Sequence, residues 1–240
     1  MKKKRINVYA MIFARGGSKG IKNKNIKNFC GKPLISYSIC SAVRNKFISK
    51  VFVSTDSDKI KKISIKYGAE VPFKRPKKLS QDNSKEWFAW QHLIRHLKKN
   101  QDLPDVVISL PATSPLRIDR DINYSLKKFL LKKNSDVLIT ITKPTRNPYF
   151  NMVEIKKNNF LKIVNDKKKY ISNRQNAPNV FDISTVAYVS TPSFILKSKK
   201  MFDGNVDFYE IPKKRAIDID TQLDFDIAKY LYKNKVYHDK

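Results

Sequence analysis

The sequence predicts an α/β protein built on a doubly wound, mostly parallel sheet. Three observations carry that expectation. An apolar run, Val8 to Phe13, reads as a buried strand and empties into a glycine- and cation-rich loop, Ala14 to Asn25. Strand-like and helix-like patterns then alternate, as parallel crossover connections require. A second apolar run, Val106 to Leu110, again ends in a polar loop, Pro111 to Arg117, so two loops lie at carboxyl ends of strands, where open α/β sheets bind ligands. At 240 residues, 41% of them hydrophobic, the chain suits one domain and can bury a substantial core.

In the first loop Gly16, Gly17 and Gly20 let backbone N–H groups turn inward, while Arg15, Lys19, Lys22 and Lys24 supply the charge a polyphosphate needs neutralised. A solvated turn in a Lys-rich chain is the alternative. It is not a P-loop, because Lys19 is followed by Gly20 rather than Ser or Thr, and the glycine spacing is wrong for the dinucleotide fingerprint.

Beyond it, Gly31-Lys32-Pro33 turns the chain into a helix over Leu34 to Val43, and a strand follows at Val51 to Val53. Ser54 to Asp58 precedes a helix from about Lys59 to Tyr67, with Asp58 the expected cap and a functional role left open for Asp56. Gly68 to Phe73 reads as a turn and an edge strand, since Pro72 cannot donate to a sheet interior. Arg75 to Ser84 is a polar loop before a helix over Lys85 to Lys98, with Ser84 its candidate N-cap and Arg75 either in solvent or turned to a ligand. His92 and His96 share a helix face, but the zincin Glu and a third ligand are missing; Trp87 and Trp90 suit a core or an interface. After the second loop, Arg117 either serves a ligand or pairs with Asp119 or Asp121. A helix from about Asp121 to Lys132 and a strand over Val137 to Thr142 then complete the expected main sheet.

From Lys143 to Asn179 short apolar pieces alternate with Asn, Lys and Pro; a disordered loop would leave Tyr149, Phe150, Phe160 and Tyr170 exposed. Phe181 to Tyr188 reads as a strand entering the site. Near the end, Asp218 and Asp220 are two apart in an extended segment and present two carboxylates together, hard ligands suited to Mg²⁺ carrying phosphates. Helix capping competes for this stretch: Thr221 and Asp224 form a capping box for a helix over Leu223 to Tyr232, which leaves Asp218 unexplained.

The net charge of +29, from 50 Lys and Arg against 21 Asp and Glu, attracts anions. Neither nucleic acid nor membrane is the expected partner: the lysines are spread along the chain, no nucleic-acid-binding motif occurs, and no basic amphipathic helix stands apart. A compositional bias toward Lys, Asn and Ile at exposed positions is the favoured explanation. Cys30 and Cys40 form no disulfide framework and suit a reducing cytosol. Met1 to Arg5 and the apolar run after it lack a cleavage site, and no stretch is long enough to cross a bilayer, so a cytoplasmic location is expected.

Four motifs in order, Arg15 with Ser18-Lys19-Gly20 and Lys24-Asn25, Arg75-Pro76 with Leu79, Thr113-Ser114-Pro115-Leu116-Arg117, and Asp218-Ile219-Asp220-Thr221, resemble those of the acylneuraminate cytidylyltransferases, which make CMP-activated sialic and legionaminic acids. The resemblance runs from about Val8 to Leu231. It implies a single nucleotidyltransferase domain over residues 1–240, Rossmann-like and of the nucleotide-diphospho-sugar transferase type, with a small β-rich lobe at 143–180 that pairs two subunits as a homodimer. The implied reaction joins CTP to a nine-carbon α-keto acid sugar and releases pyrophosphate. By resemblance, Lys24, Arg15 and Asp220 are catalytic; Arg15, Gly16, Ser18, Lys19, Lys24, Asn25, Arg75, Ser84 and Thr113 bind the nucleotide; Arg174, Gln175, Asp182 and Tyr188 bind the sugar; and Asp218 and Asp220 hold Mg²⁺, with Mn²⁺ the alternative ion.

The chain departs from the family in two places. Pro111 stands where many members carry a ribose-binding Gln, leaving Thr113 and Ser114 as the nearest substitutes, and Asp182 and Ser184 stand where sialic-acid-specific relatives have Arg and Asn. With Arg146 to Phe150, these features resemble the legionaminic branch. A Kdo or other sugar nucleotidyltransferase is the nearer alternative, although Kdo enzymes usually lack the Ser-Lys-Gly and Lys-Asn pairing. A basic nucleic-acid-binding module is the more distant one; the acidic pair opposes it, because two carboxylates repel a polynucleotide.

Overall fold

The computed structural model describes residues 6–165, 171 and 173–238. β1 (Val8–Phe13) leads through the glycine loop to a two-rung hairpin of β2 (Asn28–Phe29) and β3 (Lys32–Pro33). Its turn residues Cys30 and Gly31 both have positive φ, at 48° and 94°, as a two-residue hairpin turn requires. Next come α1 (Leu34–Arg44), β4 (Lys50–Ser54), α2 (Asp58–Lys66), α3 (Glu86–Lys99), β5 (Val106–Ser109), α4 (Asp119–Leu131) and β6 (Val137–Thr142). The remainder comprises the hairpin β7 (Val153–Ile155) and β8 (Leu161–Ile163), then β9 (Asp182–Ser190), α5 (Pro192–Lys197), β10 (Val206–Glu210) and α6 (Gln222–Lys233).

Six strands form the central sheet in the order β10-β6-β9-β5-β1-β4. All run parallel except β9, which is antiparallel to both neighbours. The sheet therefore does not end at Val137 to Thr142 as expected. β9 is wedged between β5 and β6, with Val186, Ala187 and Val189 fully buried, and β10 adds an outer strand. Successive residues of β1 face opposite ways. Val8, Ala10 and Ile12 pack with Ile35 and Ile39 of α1, Ile60 of α2 and Ile122 and Leu126 of α4. Tyr9 and Met11 pack with Trp87, Trp90 and Leu93 of α3 and Ile195 of α5, so both tryptophans are core. Helices on both faces make the sheet doubly wound. A third cluster ties the loops together at the strands' carboxyl ends: Ile21, Phe29, Leu34, Leu116, Ile219 and Phe225 are buried against one another.

Several local expectations change. Ser57, not Asp58, caps α2, its Oγ accepting from the Ile60 N–H at 3.4 Å; Asp58 lies inside the first turn and pairs with Lys74 at 2.7 Å. Gly68 to Phe73 makes only isolated bridges, at Phe52↔Glu70 and, just beyond it, Thr55↔Lys74; Pro72 between them has no N–H to continue a ladder. Ser84 does not cap α3, and its hydroxyl instead donates to the Lys78 carbonyl. Arg117 pairs with neither expected aspartate. It is buried and donates to the Val186 and Pro111 carbonyls and to Ser38 Oγ, while Asp119 pairs with Arg44 and Asp121 with buried Arg215 at 3.0 Å. Burial lowers the Arg117 pKa to about 10, so it remains charged at neutral pH. The Thr221–Asp224 capping box of α6 is present as expected.

The segment after Thr142 leaves the sheet and returns at Asp182, its register partner. Its β7–β8 hairpin is ordered, yet Phe160 is 70% exposed, along with Val153, Ile155 and Leu161. Tyr170 lies outside the described residues.

Candidate active site

The glycine loop is held from three sides. The Gly16 N–H donates to Asp56 Oδ1 at 2.9 Å, which gives Asp56 at the end of β4 a use beyond capping. Buried Asn25 donates its amide to the Arg15 carbonyl at 3.0 Å; it holds the loop rather than projecting all its polar atoms at a ligand. On the far side Lys24 Nζ reaches the Ile219 carbonyl at 2.6 Å and Asp220 Oδ1 at 2.7 Å, with its side chain only 12% exposed. Gly20 lies so close to this acidic segment that a Cβ would stand 2.2 Å from the Asp220 carbonyl oxygen. That requirement for glycine is steric.

Across from the loop, Arg75 is buried, so the reading that left it in solvent is overturned. Its Nε donates to Ser80 Oγ at 3.0 Å, and its Nη2 is 4.0 Å from Asp56 Oδ1. Burial lowers its pKa, against the opposing charges of Asp56 and Glu86. Asp82 closes the ring, meeting Arg15 at 2.5 Å and Lys19 at 2.7 Å. The hydrogen bond from Lys19 is the main cause of a pKa below the usual carboxylate range.

Two clefts open here. The first, of about 560 Å³, is lined by Arg15, Ser18, Lys19, Lys24, Asn25, Arg75, Ser84 and Thr113, eight of the nine residues expected to bind nucleotide; Gly16 anchors the loop behind it. The second, of about 360 Å³, lies under α3 and β9, with Trp87, Trp90, Thr185, Tyr188 and Asp218 in its wall. Glu86, Thr113 and Asp220 border both. Of the expected sugar residues, Tyr188 lines the second cleft, whereas exposed Gln175 and Asp182 line neither, and the Arg174 side chain lies outside the described residues. Ser114 is turned inward onto Thr185 Oγ1 at 2.7 Å and is fully buried, so of the two only Thr113 lines the first cleft.

Asp218 lies in the wall of the second cleft. Burial raises its pKa and nearby Asp220 adds to the rise, opposed by the Thr113 and Thr185 hydroxyls and by Lys24. Its Oδ1 is buried with no hydrogen-bond partner, an acceptor at a place where a buried polar atom is normally satisfied. That orphaned oxygen and the neighbouring Asp220 carboxylate fit Mg²⁺, which binds through one or two carboxylates and completes its shell with water and phosphate oxygens. His92 and His96 instead pack edge-on against Phe73, with ring centroids at 4.5 and 5.0 Å.

Sequence reasoning missed two acids. Asp82 is one, a carboxylate between two cations expected to grip phosphate. Glu86, the first residue of α3, is the other: it is ringed by protein yet open to solvent along the cleft, and it accepts the Trp90 indole N–H at 2.9 Å. Burial raises its pKa, and Trp90 and Arg75 oppose the rise. The available signal was scarcity, since acids are few in this chain and two of them fall within five residues at the mouth of one helix.

Residues 9–240 match the family model described as Cytidylyltransferase. The chain belongs to the cytidylyltransferase family. This cytidylyltransferase is 37% identical over 93% of its length to the CMP-N,N'-diacetyllegionaminic acid synthase of Campylobacter jejuni, covering 94% of that protein. It is 33% identical over 93% of its length to a pseudaminic acid cytidylyltransferase of the same species, covering 95% of it. Its fold agrees with that of a CMP:2-keto-3-deoxy-manno-octonic acid synthetase solved with CTP, at a TM-score of 0.72, 16% identity, and coverage of 95% and 99% of the two chains. The cytidylyltransferase is thus a nucleotidyltransferase with the α/β fold that its motifs implied.

Proposed function

We propose that the enzyme joins CTP to a nine-carbon α-keto acid sugar of the legionaminic type, giving the CMP-sugar and pyrophosphate. One observation carries this reading: a cation-lined cleft and a second, aromatic-walled cleft share Glu86, Thr113 and Asp220, with Asp218 in the wall of the second. The names of the two relatives, a CMP-N,N'-diacetyllegionaminic acid synthase and a pseudaminic acid cytidylyltransferase, support it.

In this reading the first cleft takes CTP. Arg15, Lys19 and Lys24 face the triphosphate beside Ser18, and Arg75 lies toward the base with the Ser80 to Ser84 loop around it. A buried guanidinium suits recognition of a base edge, because a mismatched base leaves it unpaired at a cost of roughly 1 to 3 kcal/mol. The second cleft takes the sugar, with Tyr188 in its wall. There the anomeric hydroxyl oxygen forms the bond to the α-phosphorus while the bond to the pyrophosphate oxygen breaks and the hydroxyl proton leaves to solvent. Such a displacement depends on alignment and charge neutralisation more than on covalent help. Lys24, fixed by the Ile219 carbonyl and Asp220, is positioned to offset charge that develops at the phosphate. Asp218 and Asp220 would hold Mg²⁺, or Mn²⁺ in its place; when bound, the ion neutralises phosphate oxygens and lowers the pKa of a hydroxyl that it contacts.

The reading includes a homodimer formed through the 143–180 lobe. Exposed Val153, Ile155, Phe160 and Leu161 on its hairpin support this, as an apolar patch of this kind marks an interface. It also includes residence in the cytoplasm, which the free Cys30 and Cys40 support.

The test is pyrophosphate release with CTP, UTP or ATP against legionaminic, pseudaminic, N-acetylneuraminic and Kdo acids, with Mg²⁺, Mn²⁺ or a chelator. Release with CTP and legionaminic acid, abolished by the chelator, is expected. Preference for another acid would move the acceptor, and silence with every acid would refute the reaction.

A further inference from the structure

A groove of about 920 Å³ lies away from both clefts, at the opposite end of β1 from the glycine loop. Ile6, Phe47, Tyr124, Leu130 and Leu131 wall it, and buried Val8 lies at its floor. Phe47 is 59% and Leu131 72% exposed. Single exposed apolar side chains need no explanation, but a set of them around one hollow marks a surface that something covers.

The walls are held in place. Buried Asn45 accepts the Phe47 N–H on its Oδ1 at 3.0 Å and donates its amide to Asn123 Oδ1 of α4 at 2.8 Å, so the turn that carries Phe47 is tied to the helix beside it. On α4, Tyr124, Lys127 and Leu131 follow one another at steps of three and four residues, which sets them on one face. The Tyr124 ring is stacked on Tyr209 with centroids 5.9 Å apart, and the Arg120 guanidinium lies over it at 5.2 Å. Side chains fixed in advance lose less entropy when a partner arrives.

The charges select the occupant. Lys46 and Lys127 line the groove and no acid does. Neither lysine has an ion-pair partner among the described residues, whereas Lys128 and Lys132, next along α4, are taken up by Asp207. A second copy of the chain would bring +29 against +29. Residues 1–5, one Met and four cations, match the groove no better. A slender acyl chain would leave walls this exposed wetted along one side, and a flat bilayer meets a protrusion better than a hollow. An α-helix about 10 Å across fills such a groove with one apolar stripe, and carboxylates flanking that stripe meet the two free lysines.

We propose that this groove docks an acidic amphipathic helix of a partner protein, on a face remote from the chemistry.

The probe is a fluorescein-labelled peptide of about 18 residues, five helical turns, with Leu and Phe on one face and Glu on the other. Its fluorescence anisotropy is titrated with the whole 240-residue chain at about 0.15 M salt. One control peptide has the same composition with the apolar residues spread around the helix; another keeps the stripe and carries Lys for Glu. The acidic striped peptide should bind at least about tenfold more tightly than either control. Phe47→Ser and Leu131→Asp should each weaken it about tenfold, and Lys46→Glu combined with Lys127→Glu should reverse the preference toward the Lys peptide. Pyrophosphate release by all these variants should match wild type, because none of the four residues lines either cleft. Equal binding of the spread peptide would show that net charge alone attracts it and would overturn the proposal, as would binding that survives every variant. Two further outcomes would also overturn it. Phosphatidylserine vesicles bound in place of the peptide, and lost in Leu131→Asp, would assign the face to a membrane; a subunit assembly that dissociates in Leu131→Asp would assign it to a second copy.

Discussion

Gly20→Ala tests whether the approach of the glycine loop to the acidic segment sets the catalytic geometry. The new Cβ would stand 2.2 Å from the Asp220 carbonyl oxygen, and a carbon-to-oxygen contact relaxes only at about 3.3 Å. A displacement of about 1 Å is therefore forced. The acidic segment is the stiffer side. Ile219 is fully buried, its N–H donates to the Thr113 carbonyl at 3.0 Å, and the Asp220 N–H is held by Asp224 at 3.2 Å. The loop should thus yield, pulling Lys24 away from Asp220 and widening the junction of the clefts. A misplacement of about 1 Å costs on the order of 100-fold in rate, or about 2.7 kcal/mol in activation free energy. Gly17→Ala is the matched control, because a Cβ there meets nothing within 4 Å and neither glycine has positive φ. The assay is kcat/KM for pyrophosphate release beside the urea midpoint. Gly17→Ala should match wild type in both; Gly20→Ala should lose about 100-fold in activity with a small change in midpoint. Gly20→Ala activity within threefold of its control would refute the reasoning.

Asp82→Asn frees Arg15 and Lys19, so the CTP KM should fall several-fold at low salt and converge on wild type as salt screens the site; a KM independent of the substitution at every salt concentration would show that Asp82 does not compete with phosphate. Asp121→Ala removes the carboxylate from buried Arg215 and should cost about 3 to 5 kcal/mol, read from urea unfolding; a loss under about 1 kcal/mol would mean water or backbone compensates. Asp102 makes a pH prediction. Its burial would raise the carboxyl, but hydrogen bonds from Lys50 at 2.7 Å and Tyr9 at 2.5 Å outweigh that and leave it below the usual range. A carboxylate lowered in the folded state stabilises above its unfolded pKa of about 3.9, and that contribution is lost as pH falls through the folded value. Thermal stability between pH 7 and 2.5 should therefore fall less steeply below about pH 4 in Asp102→Asn than in wild type; identical slopes would refute the assignment.

The parallel core and the cleft were legible in the sequence because each rests on local signals. Val8 to Phe13 and Val106 to Leu110 are apolar runs ending in polar loops, and eight of the nine expected nucleotide residues converge on one cleft. The insertion of β9 was not legible. Its position depends on hydrogen bonds to β5 and β6, which lie far from it in sequence, and nothing in Asp182 to Ser190 states which strands will flank it. β10 escaped notice because its most deeply buried residue is Asp207, whose Oδ1 pairs with Lys128 and Lys132, so no apolar alternation marks it. Arg117 misled for a related reason: charged neighbours at Asp119 and Asp121 suggested an ion pair, whereas the fold supplies carbonyl oxygens from Val186 and Pro111. Scarcity of acids marked Asp82 as unusual, but nothing local in the sequence stated that it would fold back onto Arg15 and Lys19.

The register of Thr142 with Asp182 makes the intervening stretch a detour that departs from and rejoins the sheet at a single rung. Its length is then nearly free for evolution to adjust, since doubling such a loop adds only about 0.6 kcal/mol of closure entropy. The rung stays where it is whatever lies between. A lineage could therefore exchange the whole detour, and with it the exposed apolar hairpin of Val153, Ile155, Phe160 and Leu161, while β6 and β9 keep their pairing and Thr185 and Tyr188 keep their places beside the second cleft. The same logic makes the detour a cassette for engineering: a graft between relatives that joins at this rung should exchange the hairpin and the Arg174-Gln175 pair while leaving the residues of the first cleft in place.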